Sequence, residues 1–342
     1  FICKKIANRE EVKLDDMIWA EKLAKRHTTA RNWLQQARRH AANPDVEEGG
    51  TDDFLNKLGF VDSPNSRSLH FDPTPTSGGI AIGLSLWISA WYSVGLDEEL
   101  FAWLLASTAF SVLGLVDDYK SRTVFFRLAY QFLIAFCLIS WIFLELPTYG
   151  DSRTFFYTGF FLITAGLIAT INLFNFMDGT DGLAGAQSLI YFLCFAYMFE
   201  LLGIRSFSLM ALCLSGVTGG FLIFNWPPAR IFMGDSGSYF LGSFHFAFGY
   251  LYFLSGNGLS FPIILAAPFL CDSVLTLLYR FLTSQNWWQA HRSHCYQVLI
   301  MNGMKPRTLV FAFLLLHIVF IIPLGFLSFY CAEYSSYLVL IT

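Results

Sequence analysis

Between residues 79 and 330 the chain alternates long apolar runs with short polar turns. The runs fall at about 79–96, 100–116, 125–146, 155–176, 183–203, 207–225, 238–255, 260–281 and 307–330. A helix rises about 1.5 Å per residue and a hydrocarbon core is about 30 Å thick, so each run is long enough for one crossing. Only helices and closed barrels satisfy their own backbone hydrogen bonds in lipid. The pattern therefore predicts an all-α polytopic membrane protein with about nine transmembrane helices.

Residues 1–60 are different in kind: charged, polar and without the apolar core of a signal peptide. Apolar stripes at Leu14, Met17 and Ile18, then at Ala30, Trp33, Leu34 and Ala37, predict two short helices over 14–26 and 29–41. The run from Asn43-Pro44 to Gly49-Gly50 reads as a linker. Lys25, Arg26, Arg31, Arg38 and Arg39 form a basic face. Such a face more often meets water than anionic headgroups. The expected division is a polar, helical amino-terminal segment over 1–60 and a membrane domain over 61–342. Because the chain opens on Phe1, its natural start is expected upstream.

Nine crossings place the turns 62–78, 117–124, 177–182, 226–237 and 282–306 on one side of the bilayer. Arg67, Lys120, Arg122, Arg230, Arg292, Lys305 and Arg307 lie there, against Arg153 and Arg205 opposite. The excess of Lys and Arg marks the first side as cytoplasmic.

Composition agrees with this class: 55% of residues are hydrophobic and 14% charged, against about a quarter charged in soluble domains. The formal net charge of −3 points to no particular partner, and no nucleic-acid contact is expected. Seven cysteines without CxxC spacing suggest neither a disulfide framework nor a zinc ribbon.

Acidic turns concentrate on the basic side. Asp117 and Asp118 end one apolar run; Asn172, Asn175, Asp178 and Asp181 crowd the turn between two others; Asp235 sits in a Gly-Asp-Ser-Gly turn. Taken singly, each reads equally well as a solvated helix end or an ordinary turn. Five carboxylates near lipid repel one another and are costly to desolvate, so a cation among them is expected. Hard oxygen ligands suit Mg²⁺, with Mn²⁺ as the alternative. Lys120, Arg122, Arg127, Arg230 and Arg292 would hold phosphates. The run His291-Arg292-Ser293-His294-Cys295 lacks a fourth zinc ligand, and Arg292 and His294 fit a phosphate or sugar contact better. Asp272 lies about two turns below the surface, a functional candidate by depth alone or else a packing contact.

Gly114-Leu-Val-Asp-Asp118, Asn172-x-x-Asn-x-x-Asp-Gly-x-Asp-Gly-Leu-Ala184, Asn225 with Phe232-Met-Gly-Asp-Ser-Gly-Ser238, and the His loop at 291–297 resemble the polyprenyl-phosphate N-acetylhexosamine-1-phosphate transferases. The resemblance spans roughly 62–330. It implies a glycosyltransferase of the bacterial inner membrane with its site on the cytoplasmic face. Such an enzyme moves a sugar-1-phosphate from a UDP-N-acetylhexosamine to undecaprenyl phosphate in the lipid bilayer, releasing UMP. By position it makes Asp235 the principal Mg²⁺ ligand with Asp117 and Asp118 as the essential acidic pair, Asp117 being the base. Asp181 would read the uracil edge and Phe232 stack on it. Asn172, Asn175, Asp178 and Asn225 would line the nucleotide cleft, and His294 matches a loop histidine. A homodimer is left open.

The loop departs from the triple-His signature of the muramoyl-pentapeptide branch and looks like the branch that starts O-antigen or capsule chains. Cys295 and Tyr296 are expected to form an apolar wall suited to a compact, even 6-deoxy, amino sugar. Family members also carry a transmembrane helix before the Asp-x-Pro-Asn segment, where this chain is polar; a fusion, an aberrant product or a lost helix is the expectation. A phospho-N-acetylmuramoyl-pentapeptide transferase, an ion-coupled transporter and a non-catalytic scaffold are the competing readings. A transporter would place charges near the midplane, where only Asp272 lies.

Overall fold

The computed structural model describes residues 2–7, 12–26, 30, 34, 61–62, 74–120, 122–145, 153–286, 288 and 291–331. It divides into two compact units, 1–75 and 76–342. In the first, α1 (Ile2–Ala7) and α2 (Leu14–Arg26) are helical, and Ala20, Ala24 and Leu34 form a small core covered by Ile2, Cys3 and Ile6. The second helix expected over 29–41 lies, apart from Ala30 and Leu34, outside the described residues. Strands β1 (Val61–Asp62) and β2 (Thr74–Pro75) pair antiparallel, which ties both ends of the intervening polar segment to this unit.

The second unit is all helix. Among the described residues its long elements are α3 (Gly78–Ser93), α4 (Glu98–Tyr119), α5 (Val124–Glu145), α6 (Arg153–Met177), α7 (Leu183–Leu201), α8 (Arg205–Asn225), α9 (Gly234–Leu254) and α10 (Ser260–Leu282). A short α11 (Cys295–Met301) follows, then α12 (Pro306–Leu316), a π turn over His317–Ile321 and α13 (Ile322–Tyr330), which together fill the last apolar run. Pro323 supplies no amide for the ladder, and the π turn sits just ahead of it.

Seven of these segments are long and apolar enough to cross a bilayer. The other two apolar runs of the sequence behave differently. Helix α3 has 16 residues. Helix α9, rich in Ser, Gly and Tyr, is buried almost throughout from Ser236 to Tyr252 and packs on α3, α4 and α6. A helix enclosed by protein needs no lipid-facing apolar surface. The structure is thus a polytopic helical membrane protein; among the described residues seven helices qualify as spans by length and composition, and α3 and α9 are the two expected crossings that do not meet both measures.

Around α9 the interior is aromatic: Phe192, Phe195, Phe199, Phe244 and Phe248 interlock at ring separations of 5.5 to 6.3 Å. Small residues bring α9 close to its neighbours at one end. A methyl group at Gly114 of α4 would overlap the Asp235 carbonyl and come within 2.6 Å of the Ser236 nitrogen. On the other side, Gly78 and Gly79 donate their backbone N–H groups to the Phe232 and Met233 carbonyls at 3.0 and 2.9 Å. The first turn of α9 is therefore clamped between two backbones, and the polar turns gather around it.

Candidate active site

Asp117 and Asp118 are neighbours on α4, so their side chains leave the helix about 100° apart and meet different partners. Asp117 is buried. One oxygen accepts from the Arg122 amide at 2.6 Å and the other pairs with Arg127 at 3.1 Å. Asp118 turns to α9 instead: its two oxygens accept the Asp235 and Ser236 amides at 2.8 and 3.0 Å. The first N–H groups of a helix have no partner within it. Asp118 caps α9 from outside, and its charge complements the positive end of the helix dipole.

That cap orients Asp235. Its Oδ1 accepts from Asn175 Nδ2 at 2.7 Å, and Asn175 also donates to Ser238 Oγ at 2.8 Å. Burial pushes the Asp235 carboxyl up, and the neighbouring Asp118 and Asp117 push it further. Asp178 completes the acidic group just beyond the end of α6. Desolvation pushes its carboxyl well above the usual range, and the charges of Asp235 and Asp118 push it further. A folded-state value above the unfolded one means that stability falls as pH rises past the ordinary carboxylate range. Asp178→Asn is accordingly expected to raise the thermal midpoint of the detergent-solubilised protein at pH 7.5 in EDTA, while slowing its reaction. An unchanged or lower midpoint would show that Asp178 is not under this strain.

The other turns are braced by residues expected in the cleft. Asn225 is buried; it accepts from Gly182 N and donates to the Ile231 carbonyl, both at 2.9 Å, and so clips two polar turns together. Gly182, at φ +75°, needs the left-handed conformation there. Asp181 Oδ2 accepts from Ala229 N at 2.9 Å and holds the loop after α8. Asn172 lies nearly one turn deeper on α6, bonded to Gln131 Oε1 and the Ile168 carbonyl, both at 2.7 Å, and belongs to helix packing in this arrangement. Phe232 is half-buried, and Lys120, Arg122, Arg230 and Arg292 are exposed at the rim.

His294 is not exposed beside Arg292. It is 2% exposed, stacked on His291 at 4.9 Å and on Tyr296 at 5.9 Å, with Phe176 at 6.1 Å. Burial pushes His291 down to about 4, helped by the charges of His294 and Arg280. The apolar wall expected from Cys295 and Tyr296 is corrected in part. Cys295 is exposed, but Tyr296 points inward and donates its hydroxyl to the Phe176 carbonyl at 3.0 Å, against the face of Gly179 that a Cβ would fill. A large ring with one polar tip finds its partner inside the protein rather than in the cleft.

Among the described residues no three His, Cys, Asp or Glu side chains are gathered so as to enclose a metal. Mg²⁺ does not require such a cage: it commonly keeps waters and binds one or two carboxylates together with substrate phosphates. Asp235, with Asp117 and Asp178 close enough to act on its charge or be acted on by it, offers a donor set of that type. Residues not singled out from the sequence complete the arrangement. Gly79, which bonds the Met233 carbonyl, and Gln131, which bonds Asn172, belong here, and a Gly-Gly pair opening an apolar run was the one readable signal.

A bundle of membrane-spanning helices with carboxylates, a helix amino end and exposed arginines gathered together is an arrangement suited to a membrane enzyme that handles phosphates. Residues 100–253 match the family model for glycosyl transferase family 4, and residues 1–75 match a domain family of unknown function. The chain is 28% identical to a Bacillus subtilis protein named "Probable undecaprenyl-phosphate N-acetylglucosaminyl 1-phosphate transferase", over 77% of this chain and 76% of the relative. It is 28% identical to the undecaprenyl-phosphate alpha-N-acetylglucosaminyl 1-phosphate transferase of Thermotoga maritima, over 75% and 78%. A phospho-N-acetylmuramoyl-pentapeptide-transferase from Picosynechococcus is 35% identical over 54% of this chain and 53% of its own length. Over most of its length the chain is thus similar to polyprenyl-phosphate N-acetylhexosamine-1-phosphate transferases.

Proposed function

We propose that the protein transfers a sugar-1-phosphate from a UDP-N-acetylhexosamine, or its 6-deoxy form, to undecaprenyl phosphate and releases UMP. Initiation of an O-antigen or a similar lipid-linked surface glycan at the cytoplasmic face of a bacterial inner membrane is the matching task. The observation that carries this reading is the convergence of Asp117, Asp235 and Asp178 beside the capped amino end of α9.

In this reading Asp117, held by Arg127 and the Arg122 amide, takes the proton of the acceptor phosphate. A phosphate oxygen then attacks the sugar-bearing phosphorus in line and UMP departs. Positioning and charge stabilisation supply most of the rate in such transfers. Asp235 and Asp117 would hold Mg²⁺, which when bound neutralises pyrophosphate charge. Lys120, Arg122, Arg230 and Arg292, exposed at the rim, would meet phosphate, and by the resemblance Asp181 and Phe232 would contact the uracil.

The sugar follows from the loop: it exposes Cys295 where the muramoyl branch places histidine. The longer-matching relatives carry N-acetylglucosaminyl names, and the Picosynechococcus relative keeps the muramoyl-pentapeptide as the alternative donor. One experiment tests reaction, donor and sidedness together. Inverted and right-side-out vesicles containing the protein and undecaprenyl phosphate are given labelled UDP-N-acetylhexosamines or UDP-muramoyl-pentapeptide, with Mg²⁺ or EDTA. UMP release from the hexosamine donor in inverted vesicles with Mg²⁺ is expected. Preference for the pentapeptide, activity in EDTA, or activity confined to right-side-out vesicles would overturn the corresponding part.

A further inference from the structure

Asp272 takes no part in the mechanism above, yet four donors converge on it. Its Oδ1 accepts from Cys295 N at 2.8 Å and from Thr276 Oγ1 at 3.2 Å, and its Oδ2 accepts from Tyr296 N at 3.2 Å. His294 Nδ1 stands 3.4 Å from Oδ1, a long contact. The amides are the first of α11, so Asp272 does for α11 what Asp118 does for α9: a carboxylate on one helix caps the start of another.

We infer that Asp272 is a positioning residue for the transfer reaction, fixing the His294 ring by Nδ1 and seating the 291–297 loop against the Asp178 turn. A carboxylate only accepts, so where Nδ1 bonds Asp272 it does so as the proton donor, and Nε2 lies on the opposite edge of the ring. The loop is braced at three further points. Gln297 Oε1 accepts from His294 N at 3.3 Å, Arg280 donates to Ser293 Oγ at 3.3 Å, and Tyr296 reaches the Phe176 carbonyl two residues before Asp178. Among these braces Asp272 alone holds both the histidine ring and the backbone of the turn that carries it. That explains an ionisable residue on a membrane-spanning helix without assigning it to ion transport.

This inference rests on the transferase reading for its kinetic arm, and a second arm is independent of it. Asp272→Asn keeps the shape but turns donors towards donors. It is expected to lower kcat about 10–100-fold, the range for residues that orient a functional histidine, with KM changed by less than about threefold. His294→Ala is expected to be at least as severe, and the double variant to fall within about threefold of His294→Ala, because residues acting as a unit are not additive. Thr276→Val, which removes one bond to Oδ1, should give a smaller loss in the same direction if Asp272→Asn does not fold. In the independent arm, trypsin cleavage after exposed Arg292 should quicken at least about fivefold in Asp272→Asn, with global thermal stability monitored alongside. Multiplying single losses, or wild-type turnover in Asp272→Asn, would overturn the inference while leaving the reaction intact. Absence of transfer by the wild-type protein would instead overturn the reaction, and unchanged trypsin cleavage would then reject the loop-seating role on its own.

Discussion

Asp235→Asn is expected to lower transfer by at least about three orders of magnitude while the protein stays folded in the membrane. The substitution is nearly isosteric, and the contacts that fix the first turn of α9 are made by the backbone of residue 235 and its neighbours. Asp118 accepts the amides of Asp235 and Ser236, and Gly78 and Gly79 bond the carbonyls of Phe232 and Met233. None of these bonds uses the Asp235 carboxylate. What is lost is one negative charge facing Asp117 and Asp178, in the donor set that fits Mg²⁺. Electrostatic stabilisation of phosphoryl transfer is commonly worth about 10³-fold or more when a key group is removed. Relief of repulsion among the carboxylates should leave the thermal midpoint equal or higher. UMP release and a thermal scan on the same preparation check both halves. Substantial turnover in a folded variant would remove Asp235 from the reaction, and gross unfolding would mean that its carboxylate supports the fold.

The two halves of that expectation were unequally legible in the sequence. Helix positions were, because lipid demands long apolar runs, and the runs of 183–203 and 260–281 match α7 and α10 to within two residues. The central place of α9 was not legible. Its Ser, Gly and Tyr content makes it look like a weak crossing, whereas burial by three neighbouring helices removes the need for apolarity. The acidic residues were legible as types: Asp117, Asp118, Asp178 and Asp235 do come together. Their division of labour was not, since adjacent residues in a sequence diverge on a helix. Asp118 proved to hold backbone amides and Asp117 an arginine. Asn225 and Asp181 look alike as polar residues beside a cleft, but hydrogen-bond partners distant in sequence make them braces. Tyr296 shows the same limit, because nothing local says that a ring in an acidic-side loop will turn inward to Phe176.

The second large effect concerns a residue with no functional group. Gly114→Ala is expected to lower transfer by at least about 100-fold, although alanine favours helices by about 1 kcal/mol over glycine. The added methyl would overlap the Asp235 carbonyl, and the Ser236 nitrogen would be 2.6 Å away; both are backbone atoms that cannot rotate aside. Helices α4 and α9 must then separate at the point where Asp118 bonds the Asp235 and Ser236 amides. Charge-assisted hydrogen bonds are each worth about 1.5–3 kcal/mol, and misplacing a reacting group by about 1 Å can cost about 10²-fold in rate. Gly216 on α8 provides the control, since a Cβ there meets nothing within 4 Å. Gly216→Ala should keep normal transfer and gain up to about 1 kcal/mol of stability. The same chemical change thus has opposite outcomes at two helix positions, decided by whether another backbone lies against the glycine. Near-normal UMP release by Gly114→Ala would mean that α9 reaches its working position without the close approach to α4, and that the Asp118 cap is dispensable for placing Asp235.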